Sequence, residues 1–263
     1  MPTTFFRLTR RSFLPLAGFL LAAAGSVCAQ QQPTVPSPHA LSASTPRAVI
    51  ELFTSQGCAD CPKADQLLKT FVEKDDIIAL TLPVDYWDYL GWKDTLAGPR
   101  NAERQRAYVE RFGSGTVFTP QAVVNGSMEV LGSDPAEIDR AIRATETALT
   151  SSRIPVHFWH FGNTVIIETG GASPESEPAE ATIWLAVVQR SVNVSVEGGE
   201  NAGKTLTYYN VVREFTPVGV WNGRPATIRL ARTAIMRPES EDLIVLIQEG
   251  STGPIIGAAR LGN

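Results

Sequence analysis

The sequence predicts an α/β domain followed by an all-β, sandwich-like domain. In residues 47–152, short apolar runs alternate with segments of helical periodicity, which is typical of α/β domains. In residues 153–263, β-branched and aromatic runs follow one another, separated by turns that contain Gly, Pro or Asn. Because no helical periodicity lies between these runs, a sandwich of short strands is the expected arrangement.

The first domain is predicted to order its elements as strand, helix, strand, helix, hairpin and helix. A helix beginning at the cysteines has an apolar stripe, and Asn125-Gly126 is a strong hairpin signal. Asp134-Pro135 starts the last helix with an N-cap and a proline in the first turn. This order is that of a thioredoxin-like domain with a helical insertion. Strands are predicted over 48–53 and 77–82, and a mostly charged helix over 100–112. Residues 121–131 are predicted to form the two strands of the hairpin.

The second domain is predicted to contain seven strands. Each is a run of four or more residues rich in Val, Ile, Thr or aromatic side chains. They cover 155–161, 165–169, 181–188, 205–218, 227–233, 243–248 and 255–261.

Residues 1–29 have the pattern of a bacterial export signal. The pair Arg10-Arg11 precedes Ser-Phe-Leu and an apolar run through Val27, which fits the twin-arginine type; an ordinary secretory signal is the alternative. Residues 30–46 are rich in Pro, Ser and Gln and are predicted to form a disordered tether. The protein is therefore expected to be periplasmic or secreted.

Charge and hydropathy exclude several classes of partner. The chain has a net charge of −4, and removal of residues 1–29 would take away three arginines and no acidic residue. An acidic exported protein is a poor candidate for binding nucleic acid. Beyond the signal, no apolar stretch approaches the roughly 20 residues that a membrane span requires, so we expect no transmembrane segment in the mature chain.

Cys58 and Cys61 form a Cys-x-x-Cys pair at the predicted start of a helix. The free N–H groups of a helix start favour a thiolate, so Cys58 is the expected attacking sulfur and Cys61 the resolving one. Asp60 lies between them, and its negative charge opposes a thiolate at Cys58. The pair is predicted to form a redox-active disulfide that exchanges with thiol- or disulfide-containing proteins or small molecules.

Further residues are predicted to complete this site. Pro120 directly precedes a strand, where a cis proline would lie against the cysteines and leave a backbone edge at Thr119 for a peptide substrate. Glu51, in the strand before the cysteines, is the candidate carboxylate that moves the proton of Cys61. Asp85 and Trp87 belong to an aromatic and acidic segment after the second strand, and they are predicted to contact substrate.

Other interpretations of the chain stay open or are rejected. The disulfide could be purely structural, or two thiolates could hold Cu(I) in a copper-binding protein. A further alternative is an envelope interaction module whose β-rich domain recognises its partner. Apart from Cu(I), no cofactor or metal is expected. Residues 198–205 satisfy the nucleotide-binding pattern G-x-x-x-x-G-K-T. A phosphate-binding loop must lead into a helix, whereas the following residues favour a strand, so nucleotide binding is not predicted.

Four strings of the sequence closely resemble a family of exported bacterial proteins, the domain-of-unknown-function family 1223. The strings are residues 51–58, 84–94, 119–121 and 199–207. The resemblance covers most of residues 47–263. It implies a thioredoxin-like domain joined to a β-rich domain, and it leaves the substrate open.

Overall fold

The computed structural model describes residues 46–150, 152–173 and 179–261, without the side chain of Ala148. The predicted export signal and nearly all of the tether lie outside the described residues, so both stay predictions. No helix within the described part of the chain is long and apolar enough to cross a membrane.

Eight strands from both halves of the sequence form one mixed sheet. The strand order is β11-β10-β7-β8-β2-β1-β3-β4. In chain order these strands are β1 (Ala48–Thr54), β2 (Ile77–Pro83), β3 (Gln121–Val124), β4 (Met128–Leu131), β7 (Ala181–Ser195), β8 (Thr205–Trp221), β10 (Asp242–Glu249) and β11 (Ile255–Arg260).

Three further strands form a small antiparallel sheet, and four α-helices with two single-turn 3₁₀ helices, Asp88–Leu90 and Gly199–Asn201, complete the described part of the fold. The small sheet has the order β5-β6-β9. Its strands are β5 (Val156–Phe161), β6 (Thr164–Thr169) and β9 (Ala226–Ala231). The helices are α1 (Cys61–Val72), α2 (Pro99–Phe112), α3 (Pro135–Leu149) and the short α4 (Arg232–Ile235).

The predicted fold class, a thioredoxin-like α/β domain followed by an all-β sandwich, is wrong. The described structure is mostly β, with 42% strand and 24% helix. The strands β7, β8, β10 and β11 do not form a sandwich of their own, because they continue the sheet that contains β1 and β2. The seven strands predicted for the second half are all present, with shifted ends. Local patterns therefore identified the strands but not their partners.

The two halves join where β2 and β8 run parallel. Thr81 pairs with Val211, and the Thr81 hydroxyl donates to the Tyr209 carbonyl at 2.6 Å. The amide of Asn210 donates to the carbonyl of Ala79 at 3.0 Å, across 131 residues of sequence. Asn210 has a φ of 48°, in the left-handed region that Asn tolerates better than most residues. This junction makes one sheet of the two halves.

Side chains of β1 alternate between two differently covered faces of the sheet. Ile50 and Leu52 pack with Ala64 and Leu68 of α1, and residues of α3 belong to the same cluster. Val49 and Phe53 pack on the other face, in a cluster with residues of α2. Because strand side chains alternate, Glu51 points to the α2 face.

On the α2 face, Glu51 forms a buried ion pair with Arg104. Arg104 Nε lies 2.6 Å from Glu51 Oε1, and Nη2 lies 3.0 Å from Oε2. The Tyr108 hydroxyl donates to the same carboxylate, and burial raises the pKa of Tyr108 strongly, so it stays protonated. Gln248 of β10 accepts from Arg104 at 2.8 Å and donates to Tyr108 at 2.7 Å. The network thereby connects α2 to strands from both halves.

Removing Arg104 should destabilise the protein strongly, because it leaves the Glu51 carboxylate buried without its ion-pair partner. We expect Arg104→Met to lower the free energy of unfolding by about 3–5 kcal/mol. The matched control is Arg100→Met on the exposed side of the same helix, which should change it by less than about 0.5 kcal/mol. Urea unfolding measures both, and equal losses in the two variants would contradict the assignment.

Candidate active site

The structure joins Cys58 and Cys61 in a disulfide at the start of α1. Their Cα atoms are 5.4 Å apart, and the Cys61 N–H donates to the Cys58 carbonyl. The helix begins at Cys61, so Cys58 lies just before its first turn. Cys58 is 2% exposed and Cys61 is completely buried. Cys58 is therefore the less deeply buried of the two cysteines.

The predicted proline lies beside this disulfide. The Thr119–Pro120 peptide bond is cis, and the Thr119 carbonyl oxygen is 3.7 Å from Cys58 Sγ. The indole N–H of Trp87 donates to the Thr119 hydroxyl at 2.8 Å. The Pro120 carbonyl accepts from the Gly132 N–H, so it is already paired within the protein. The structure thus brings Cys58, Thr119, Pro120 and Trp87 together.

Aromatic rings form an exposed wall next to this group. The ring of Tyr89 stacks on Trp87 with centroids 6.4 Å apart, and Tyr89 is 77% exposed. Trp87 also contacts the backbone before Cys58, because a Cβ added to Gly57 would come within 2.9 Å of its Cβ. Asp85 is half-buried in the turn after β2, where its carbonyl accepts from the Asp88 N–H. No contact of Asp85 with the cysteines is seen among the described residues.

Glu51 is not beside the cysteines. The helix that carries Cys61 packs on the Ile50 and Leu52 face of β1, whereas Glu51 lies on the opposite face with Arg104. The structure therefore does not bring Glu51 to Cys61, the thiol whose proton it was predicted to move. A shift of one residue along a strand moves a side chain to the other face, and this accounts for the difference.

A loop from the second half of the sequence closes over the cysteines, and sequence reasoning missed it. We call residues 196–204, between β7 and β8, the Asn201 loop. Asn201 is completely buried, and its amide donates to the carbonyls of Gln56 at 2.9 Å and Cys58 at 2.8 Å. The Glu200 carboxylate accepts from the Ala59 N–H at 3.0 Å. These contacts hold the backbone on both sides of Cys58.

The sequence held one signal for this loop. Residues 199–207 form one of the four strings that carry the family resemblance, and this resemblance is the signal. The sequence of residues 198–205 alone predicts only a glycine-rich turn. Thr205 begins β8, as predicted, and Lys204 Nζ donates to Asn201 Oδ1 at 2.8 Å. The lysine of the apparent phosphate motif thus orients the asparagine.

Asp94 supports the same backbone from the segment after β2. Its carboxylate accepts from the Gln56 N–H at 2.8 Å and from two further N–H groups, of Leu96 and Ala97. Burial raises the pKa of Asp94, and the three N–H bonds oppose this effect. The Trp92 indole donates to the Gln56 side-chain oxygen at 2.8 Å. Gln56 is thereby held through its backbone and its side chain.

Asp65 is a second residue that sequence reasoning missed. It lies four residues after Cys61 on α1, it is 3% exposed, and neither carboxyl oxygen has a hydrogen-bond partner in the described part of the chain. The buried hydroxyls of Thr54 and Tyr208 also lack partners there. Burial raises the pKa of Asp65 well above its usual value, and the Asp94 charge adds to this rise; the Thr54 hydroxyl lies close enough to oppose it, although the two groups do not make a hydrogen bond of good geometry. The sequence signal that could have identified Asp65 is an acidic residue next to Ala64 and close to Leu68, two residues of the apolar stripe of α1.

The described residues contain no group of three or more His, Cys, Asp or Glu side chains that could hold a metal ion. The two cysteine sulfurs are bonded to each other.

Comparison with known proteins identifies the family. The model of the family described as protein of unknown function (DUF1223) matches residues 49–248, which include the cysteine pair and the Asn201 loop. The chain belongs to the DUF1223 family. No curated protein matched the sequence.

Two solved structures are similar to this DUF1223 protein. The crystal structure of protein AGR_C_4864 from Agrobacterium tumefaciens is 34% identical, with a TM-score of 0.73, and the match covers 83% of this chain and 96% of that one. HBP35 of Porphyromonas gingivalis is 13% identical, with a TM-score of 0.60, over 82% of this chain and 74% of that one. At this identity the second likeness concerns the fold alone.

Truncating Asn201 should loosen the cysteine loop. Asn201→Ala removes the donor to the buried Gln56 carbonyl and one of the two donors to the Cys58 carbonyl, so we expect a loss of about 1–3 kcal/mol in the free energy of unfolding. The control is Asn193→Ala, an exposed asparagine on the same hairpin, which should change stability by less than about 0.5 kcal/mol. Urea unfolding of the two variants tests this, and a loss for Asn201→Ala as small as the control's would speak against the role of the loop.

Asp65 should make stability depend on pH. The folded protein keeps a proton that the unfolded chain releases above about pH 4, so the contribution of Asp65 to stability falls as pH rises toward its folded pKa. Asp65→Asn removes this dependence. Relative to the parent, the variant should therefore gain on the order of 1 kcal/mol or more between pH 4 and pH 7.

Urea unfolding at several pH values measures this difference. The control is Asp60→Asn, which changes an exposed carboxyl at the start of the same helix. Its curve of unfolding free energy against pH should run parallel to that of the parent over the whole range. An Asp65→Asn curve that also runs parallel to the parent would show that the carboxyl is already ionised in the folded protein.

Proposed function

We propose that this DUF1223 protein is a thiol–disulfide oxidoreductase that acts on protein or small-molecule thiols outside the reducing cytoplasm. One observation carries the proposal. The Cys58–Cys61 disulfide lies against Thr119 and Pro120, with the Thr119 carbonyl oxygen 3.7 Å from Cys58 Sγ, and Cys58 is the less deeply buried cysteine of the pair. A purely structural role is less favoured, because a bridge across so few residues would restrict little chain entropy.

The chemistry proceeds by two exchanges. A substrate thiolate attacks Cys58 Sγ, the Cys58–Cys61 bond breaks, and a mixed disulfide between substrate and Cys58 forms. A second substrate thiolate then attacks the substrate sulfur, and Cys58 leaves as a thiolate. The substrate dithiol loses two electrons to the protein disulfide; run in reverse, the same steps reduce a substrate disulfide.

Two further features favour this assignment. The loop around Cys58 is held by Asn201 and Asp94 through backbone bonds, so the sulfur is positioned without using its own bonding capacity. The exposed ring of Tyr89, stacked on Trp87, offers an apolar surface next to the reactive sulfur. A protein substrate could lay its chain between this wall and Thr119.

Location outside the cytoplasm is part of the proposal. Disulfides persist in oxidising compartments, and residues 1–29 have the composition of an export signal. A cell-fractionation experiment with a lysine pair in place of Arg10-Arg11 would test the twin-arginine type, which predicts loss of export.

Both cysteines should be required for turnover. We expect Cys58→Ser and Cys61→Ser to lower dithiothreitol-linked insulin reduction at least about tenfold, because each removes one half of the exchange. Cys61→Ser should additionally accumulate a covalent adduct with substrate through Cys58. The matched control is Cys28→Ser in the full-length chain, the remaining cysteine of the sequence, which should retain parent activity.

The assay separates this function from its alternatives. A structural disulfide, a Cu(I) carrier or an interaction module predicts that the parent itself shows no turnover above the uncatalysed rate. The proposal is also overturned if both cysteine variants match the parent in insulin reduction and in oxidation of a scrambled substrate.

A further inference from the structure

The buried side of α1 contains an acid that the exchange chemistry described so far does not use. Asp65 is the described carboxyl group whose two oxygens are both buried and without a partner. A buried polar group without a partner is costly, so its presence requires an explanation. Cys61 and Asp65 are four residues apart and both buried on one helix, which places their Cβ atoms about 5–6 Å apart. Because residues at this spacing lie on one face of a helix, a proton transfer between the carboxyl and Cys61 Sγ would run directly or through one water molecule.

We propose that Asp65 donates a proton to Cys61 and accepts it back during thiol–disulfide exchange. This inference rests on the proposed function and adds the group that handles its proton. Among the other acids near the cysteines, Asp60 and Glu200 are exposed, and Glu200 already accepts from the Ala59 N–H. Glu51 is ion-paired on the opposite face of the sheet, and Asp94 is held by three backbone N–H groups.

The proton is needed where Cys61 leaves. When a substrate thiolate bonds to Cys58 Sγ, the electron pair of the Cys58–Cys61 bond goes to Cys61 Sγ, which has no exposure to water. A bare thiolate there would be unfavourable. The Asp65 carboxyl gives its proton to this sulfur and becomes a carboxylate. In the reverse direction the carboxylate removes the proton from Cys61 as its sulfur attacks Cys58, and the substrate leaves as a thiolate.

The surroundings of Asp65 support such a transfer. A cleft of about 390 Å³ between α1 and β8 is lined by Asp65 together with Lys69 and Tyr209, so the residue lies at the wall of a solvent-facing cleft while its carboxyl oxygens are buried. On the buried side, the charged and titratable neighbours are Asp94 and Tyr208. Burial raises the pKa of the Asp65 carboxyl well above its usual value, in the direction that a proton donor to a leaving thiolate requires.

The test follows reduction of the oxidised protein by dithiothreitol in single-turnover experiments from pH 5 to pH 9, with thiols quenched by alkylation. In the parent, the rate constant should show an inflection in addition to that of dithiothreitol. Asp65→Asn should lose this inflection and react at least about tenfold more slowly at pH 6–7, at the low end of what general acid catalysis contributes. The control Asp75→Asn, which changes an exposed carboxyl in the turn after α1, should keep the inflection.

A second measurement uses the parent and does not depend on the folding of a variant. The carboxyl carbon of Asp65 should titrate at different pH values in the disulfide and dithiol forms when followed by ¹³C NMR, because the proton is shared with Cys61 in the reduced form only. Identical titrations, or an Asp65→Asn profile that keeps the inflection and rate, would overturn the role of Asp65. If the parent does not react with dithiothreitol while folded, the proposed function itself fails.

Discussion

The parallel pairing of β2 with β8 is the constraint on which the candidate site depends. Thr81, Asn210 and their backbone partners join two halves of the sequence that local patterns describe as separate. Because β7 and β8 form one long hairpin, holding β8 against β2 also fixes the position of the hairpin's end. The Asn201 loop at that end then reaches the carbonyls of Gln56 and Cys58.

Two buried acids have opposite roles because the two sides of the sheet differ. Glu51 is paired with Arg104 and receives a bond from Tyr108, so its charge is compensated and it stabilises the fold. Asp65 has no such partner, and burial instead raises its pKa, which favours the protonated form. An acid that is paired with a cation stays ionised, because the cation stabilises its charged form. A buried acid without such a partner can give up its proton when a neighbouring sulfur becomes negatively charged.

Sequence reasoning succeeded where the signal was local. The cysteine pair, the proline before β3 and the seven later strands each follow from a few consecutive residues. It failed where the answer depended on pairing: the sheet that includes both β2 and β8 joins residues about 130 positions apart, and no periodicity reports such a contact. Glu51 was predicted beside Cys61, but side chains alternate along β1 and Glu51 lies on the opposite face of the sheet. The contacts of Asn201 could not be predicted, because the sequence of a turn does not show which residues it contacts.

The redox equilibrium of the Cys58–Cys61 pair tests the central claim most directly. Folded protein would be equilibrated with glutathione buffers of known ratio, and the fraction of disulfide measured by alkylation. The account predicts reversible reduction of the native protein at a potential between roughly −270 and −120 mV, the range of disulfide oxidoreductases. A potential below about −300 mV, or reduction that occurs only on unfolding, would mark the bridge as structural and contradict the account.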